Sequence, residues 1–181
     1  LSAMTAFTIA VDDAAVLAEL QRLQSRVGNL RPVMAEIGEG IVDRAKRRFG
    51  TSTAPDGKRW APNSEATLAI VAARIGSSGR KKDGGLNARG ARRLASKRPL
   101  IGESHALETQ IHHQAGASEV TVSASPVYAA IQQFGGKKSE FPHLWGDIPA
   151  RPFLPVRPDG TLYPAEQAAI LADINDYLTA R

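Results

Sequence analysis

Apolar residues fall along this chain in short blocks, and the spacing within a block changes from one stretch to the next. Val16, Leu20, Leu23 and Val27 lie three or four residues apart and predict a helix with one apolar stripe, broken by Gly28-Asn29. Val33, Ile37, Ile41 and Ala45 continue that period in a second helix. Pro32 suits its first turn, and Lys46-Arg47-Arg48 suit the dipole at its C-terminal end. Ahead of both, Thr5 to Val11 alternates weakly and reads as a short strand, with Asp12 or Asp13 free to cap the helix that follows. Ser64 caps a short helix through Ala73, and Pro99 to Ile111 returns to helical spacing through Leu107 and Ile111. The period then changes to two: one run ends near Gln114, Gly116 turns, and Val120 and Val122 alternate with polar residues, which predicts a hairpin. Val127 to Phe134 is a short helix closed by Gly135-Gly136. Ile148 to Val156 is an extended, proline-rich strand or arm. Pro164 starts a last helix, with Ile170, Leu171, Ile174 and Leu178 on one face. Segregated helices beside an antiparallel hairpin predict an α+β fold: N-terminal helices and a C-terminal helix packed on a small antiparallel sheet.

Two stretches lack either period. Gly50 to Asn63 is a loop in which Pro55-Asp56-Gly57 makes a tight turn, since proline pre-sets one dihedral and glycine supplies a positive one. Trp60 is the large apolar group placed to pin that loop. Gly76 to Lys97 (GSSGRKKDGGLNARGARRLASK) carries almost no large apolar residue and predicts a long mobile insertion, because it cannot bury enough surface to order itself. The 181 residues therefore read as one domain with a flexible basic insertion over about 76–98.

Charge sharpens this picture. The chain carries +5. Between Arg80 and Arg98, eight Lys or Arg stand against one Asp, a net +7, which leaves −2 for the rest. Arg80, Lys81, Lys82, Arg89, Arg92, Arg93, Lys97 and Arg98 are thus candidates for contact with DNA or with a partner protein; a solvated linker is the plainer alternative. No aromatic residue accompanies them to stack on bases, so nucleic-acid binding through them would be non-specific and salt-sensitive.

Catalytic motifs fail on inspection. The chain has no cysteine, which removes disulfides, thiolate chemistry and cysteine-bound zinc. His112 and His113 are adjacent, so on a strand they face opposite ways and cannot share a metal. GESHA (Gly102 to Ala106) falls one residue short of a Gly-x-Ser-x-Gly elbow and lacks the strand before it, so Ser104 reads as a helix-start or helix-surface serine. Gly85 to Arg92 has the glycine spacing of a phosphate-binding loop, but Ala91 and Arg92 stand where lysine and a hydroxyl are needed. No metal and no cofactor is expected, and no apolar run reaches the ~20 residues of a membrane span. The opening LSAMTAFTIAV lacks a charged start and a signal core, so no leader is expected there.

Four blocks together resemble a known family: RFGTSTAPDGKRWAP (Arg48 to Pro62), PLIGESHALETQI (Pro99 to Ile111), VYAAIQQFGG (Val127 to Gly136) and IPARPF (Ile148 to Phe153). In this order they are similar to the phage virion morphogenesis family, the neck or tail-completion proteins of Mu-like and P2-like tailed phages. The last two blocks are the most specific part. The family usually has histidine before Gln-Phe-Gly-Gly, where this chain has Gln132. Its second block often carries Thr-Gly and a Leu-x-x-Ser-Ile ending, where this chain reads Ile-Gly and Leu-Glu-Thr-Gln-Ile. The resemblance implies a structural, non-enzymatic part of the virion at the head–tail junction, held in the host cytoplasm before assembly. It also implies a ring of copies, six-fold favoured over twelve-fold, contacting head-completion or connector proteins and tail terminator or tube proteins, with genomic DNA in the channel and no membrane partner.

Within that frame, Tyr128, Ile131 and Phe134 lie three residues apart and would pack the short helix on the hairpin sheet. Gly135 and Gly136 let the chain leave sharply. Arg151, between Ala150 and Pro152, would project from the extended arm toward a carboxylate on the same or a neighbouring subunit, with Phe153 and Leu154 as anchors. Arg151, Pro152, Phe153 and Leu154 are accordingly the expected assembly interface, against the alternative of an intrachain loop. Two rivals remain: a non-specific nucleic-acid-binding protein acting through the basic 80–98 segment, and, last, a hydrolase using Ser104 with a histidine.

Overall fold

A computed structural model describes residues 14–180. The expected strand over Thr5 to Val11 and the caps at Asp12 and Asp13 lie outside those residues. In chain order the elements are α1 (Ala14–Val27), α2 (Arg31–Thr51), α3 (Glu65–Ala73), α4 (Ala88–Ala95), α5 (Ala106–Thr109), β1 (Ile111–Ala115), β2 (Val120–Ala124), α6 (Ala129–Phe134) and α7 (Pro164–Thr179). A 3-10 turn at Ser77–Gly79 precedes α4. Helices beside one antiparallel pair give the α+β class, with α2 packed on the pair, α7 on α2 and α1 on α7.

α2 organises the molecule. Its expected stripe is buried at Val33, Ile37, Ile41 and Ala45 and extends to Val42 and Phe49. The N-terminal half packs with Ile170, Ile174 and Tyr177 of α7 and with Val120 and Val122 of β2. The C-terminal half joins Trp60, Leu107, Ile111, Ala129 and Phe153 in a second cluster. The hairpin pairs Ile111 with Ala124 and Ala115 with Val120, and the Gly116 N–H donates to the Glu119 carbonyl at 2.8 Å across the turn.

The expected helix over Pro99 to Ile111 shrinks to the single turn of α5. Leu100 and His105 both take positive φ (61° and 52°), which no helix interior allows. Ile111 is then claimed by β1, where strand pairing buries it.

The basic segment differs more. The sequence pattern gives it no elements, yet it holds the 3-10 turn, an antiparallel bridge between Arg80 and Leu86, and α4. Polar bonds order it where apolar burial does not. The Arg80 guanidinium donates to the carbonyls of Ala72, Ile75 and Gly84 at 2.7–2.9 Å. The Asn87 side chain caps α4 by accepting from the N–H groups of Arg89 and Gly90, and donates to the carbonyls of Ser78 and Arg80. Gly79 and Gly90 bring backbone against backbone: a Cβ on Gly90 would stand 2.1 Å from the Gly79 carbonyl oxygen.

Candidate functional site

The PARPF arm is held from three sides. Gln133, on the inner side of α6, accepts from the N–H groups of Phe153 and Leu154 at 2.9 Å and donates to the carbonyls of Leu154 and Val156 at 3.0 Å. Its amide is thus fully satisfied while only 2% exposed. Trp60 Nε1 donates to the Pro152 carbonyl at 2.9 Å, and the Trp60 and Phe153 rings pack on Phe49 at centroid distances of 5.5 and 5.4 Å. Arg48 donates to the Phe153 carbonyl at 2.8 Å. The Gly135 turn makes room for this: a Cβ there would lie 2.8 Å from the Ala150 nitrogen, and its φ of 76° suits glycine.

Arg151 does not project. It is 8% exposed and turned inward, donating from Nε to the Ala61 carbonyl at 2.8 Å and from a terminal nitrogen to the Pro62 carbonyl at 2.7 Å. Burial pulls its pKa below the ordinary arginine value. Phe153 is fully buried, and Pro152 and Leu154 are half-buried. The expected assembly interface at Arg151, Pro152, Phe153 and Leu154 is therefore a clasp within the chain, without a free cation. The Trp60 loop supplies its own unpaired carbonyls as the partner, and sequence gave no sign of them.

The face of α6 is likewise corrected. Ala129 and Gln133, four apart, point inward; Tyr128 and Phe134 are exposed and Ile131 half-buried. Tyr128, Ile131 and Phe134, with Phe141, Leu144 and Ile148, line an apolar groove of about 630 Å³. Val127 and Trp145 nearby are 99% and 101% exposed.

Of the eight basic candidates, three serve the fold. Arg80 is tied as described, Lys97 donates to the Ile101 carbonyl, and Arg98 donates to the Gly50 carbonyl at 3.0 Å. Lys81, Lys82, Arg89, Arg92 and Arg93 are exposed, and none makes an ion pair among the described residues. Arg89, Arg92 and Arg93 stand at i, i+3 and i+4 and form one stripe on α4. A stripe of the opposite sign runs along α2: Glu36, Glu39 and Asp43, at i, i+3 and i+7, are exposed and equally unpaired. Its spacing is visible in the periodic sequence of α2, where the charges fall opposite the apolar stripe.

Also unforeseen is Glu166 in the first turn of α7, 2% exposed and bound by Arg44 and Arg48 of α2. Arg44 Nε donates to it at 2.6 Å and Arg48 at 3.0 Å. Burial draws the Arg48 pKa down, opposed by its bond to Glu166.

The positions screened for catalysis form no reactive set. Ser104 Oγ accepts from the Ala106 N–H at 3.4 Å, and His105 Nδ1 meets Glu108 at 3.0 Å. No cluster among the described residues could hold a metal, and none of their helices is long and apolar enough to cross a membrane.

Residues 11–178 match the phage virion morphogenesis family. The chain belongs to that family. The match runs from the approach to α1 to the end of α7, so it takes in the clasp, the groove and both charged stripes. A Mu-like prophage protein of Haemophilus influenzae, FluMu G protein 2, is 39% identical over 79 residues, 44% of this chain and 51% of the relative. The chain thus spans about half the length of that curated relative. No solved structure matches. As a phage virion morphogenesis protein, the chain has its role in building the virion.

Proposed function

We propose that this protein is a structural component of the neck of a tailed phage or prophage, forming a ring at the head–tail junction that completes or joins the tail. Its neighbours are further copies of itself, a head-completion or connector protein on one side and a tail terminator or tube protein on the other. DNA passes through the channel, and no chemistry is required of the protein. The observation that carries this reading is the family match across residues 11–178. The geometry agrees in kind: the Gln-Phe-Gly-Gly and Pro-Ala-Arg-Pro-Phe blocks that carry the resemblance build a rigid clasp, which fixes shape rather than presenting reactive groups. A stand-alone nucleic-acid-binding protein would rest on the α4 stripe, which offers three unpaired arginines and no stacking aromatic.

Removal of the gene from a phage that carries it tests the proposal. Filled heads and complete tails should accumulate separately in electron micrographs, and gold-labelled antibody should mark the junction of complemented virions. Label at the distal tail tip, or virions that join normally without the protein, would overturn it.

A further inference from the structure

We infer that the basic stripe of α4 and the acidic stripe of α2 are two halves of one contact, made between neighbouring copies of this chain. Arg89, Arg92 and Arg93 on one copy meet Glu36, Glu39 and Asp43 on the next. This deepens the ring reading above and rests on it only for the number of copies.

Three observations lead there. Both stripes lie on exposed helix faces, and each keeps its charges within about one helical quadrant or two. All six groups lack an ion partner among the described residues, which contain ion pairs elsewhere. The two stripes also match in number, three against three, over about one turn of α4 and about two turns of α2. Complementary faces of this kind set register and exclude wrong partners. Two different patches can meet head-to-tail, and repetition then closes a ring where the rotation allows.

Self-repulsion argues the same way. The segment from Arg80 to Arg98 carries +7. Copies of it gathered around one axis repel each other unless carboxylates stand between them. An acidic stripe on each neighbour supplies those carboxylates at every interface. A collar left bare would instead hold DNA tightly and oppose its passage.

Charge exchange provides the test. One variant carries Arg89→Glu, Arg92→Glu and Arg93→Glu; the other carries Glu36→Lys, Glu39→Lys and Asp43→Lys. Circular dichroism and urea midpoints establish that both fold. Each is then supplied, alone and together, to a phage lacking the gene. Alone, each variant sets like charges against each other, and joined virions should fall at least about tenfold, since such juxtaposition is strongly unfavourable. Together, the copies alternate with opposite charges at every contact, and joined virions should recover. Normal joining by either variant alone overturns the proposal, as does failure of the mixture when both variants fold. Heads that fill and join but lose DNA with the α4 variant would assign that stripe to DNA and overturn it as well.

The absence of cysteine permits a second readout. A chain carrying both Glu39→Cys and Arg92→Cys should give a disulfide-linked ladder from virions. A ladder that stops at two copies keeps the contact and removes the ring; one that climbs further supports both.

Discussion

Gln133 has two acceptor sites and two donors on one amide, and the arm uses all four. Replacing it by leucine of similar size leaves two N–H groups and two carbonyls of the arm without partners, at about 1–3 kcal/mol for each group that stays buried. We expect Gln133→Leu to lower unfolding free energy by at least about 3 kcal/mol in urea melts. A loss below about 1 kcal/mol, usual for surface changes, would mean the arm finds other partners. Trp60→Ala should cost roughly 3–5 kcal/mol as a truncated core aromatic, whereas Trp60→Phe keeps the packing and forfeits chiefly the bond to Pro152. Trp60 was legible because one large apolar group stood on a tight-turned loop. Gln133 was not, since an amide in a short helix reads as solvent-facing and its partners lie 20–23 residues away. The direction of Arg151 is hidden from the sequence for a related reason. Its flanking Ala150 and Pro152 specify an extended backbone, but the side chain's direction is set by the carbonyls of Ala61 and Pro62, 90 and 89 residues distant. Arg151→Ala should therefore lower stability, and Arg151→Lys should not restore it, because an ammonium lacks the fork that reaches both carbonyls.

At the scale of elements, repeating apolar spacing marks most of the elements that form but not always the face they bury, and its absence does not mark disorder. α2 and the hairpin follow their predicted periods, whereas on α7 Leu171 is exposed and Tyr177 packs beside Ile170 and Ile174, and on α1 Leu20 and Val27 are exposed. α4 escaped because its order comes from Asn87, Arg80 and a glycine pair rather than from buried side chains. The helix expected over Pro99 to Ile111 was too long because Ile111 serves the strand period as well as the helical one. The order of the basic segment can be tested at Gly90. Alanine there sets a Cβ against the Gly79 carbonyl, backbone against helix, with no flexible side chain to give way. We expect Gly90→Ala to separate α4 from the 3-10 turn while the α2 core stays folded. Limited trypsin digestion should then cut after Arg89, Arg92 or Arg93 much faster than in the parent chain. Equal cutting rates would show that the glycine contact does not hold the segment.

For the molecule as a whole, the change of period along the chain was enough to give the α+β class, but not the way its parts are locked. α2 carries both apolar clusters, and one buried carboxylate fastens α7 to it: Glu166 meets Arg44 and Arg48 across separations of 122 and 118 residues. Arg48 also holds the Phe153 carbonyl, so the lock reaches the arm as well. Arg44 and Arg48 sit four apart, and with Glu166 removed they become like charges, one of them largely out of water. Breaking a buried pair from one side typically costs about 3–5 kcal/mol, and the partial exposure of Arg44 points to the lower end. Glu166→Leu should thus destabilise the chain by about 3 kcal/mol. Adding Arg48→Met removes the stranded charge, and although the Phe153 carbonyl loses its donor, the double variant should be more stable than the sum of the two single losses. Urea melts of the two single variants and the double decide the matter: strict additivity would mean that Glu166 and Arg48 do not act as a unit, and that α7 is held chiefly by Ile170, Ile174 and Tyr177 and by the bonds Arg26 and Asn29 make to Tyr177.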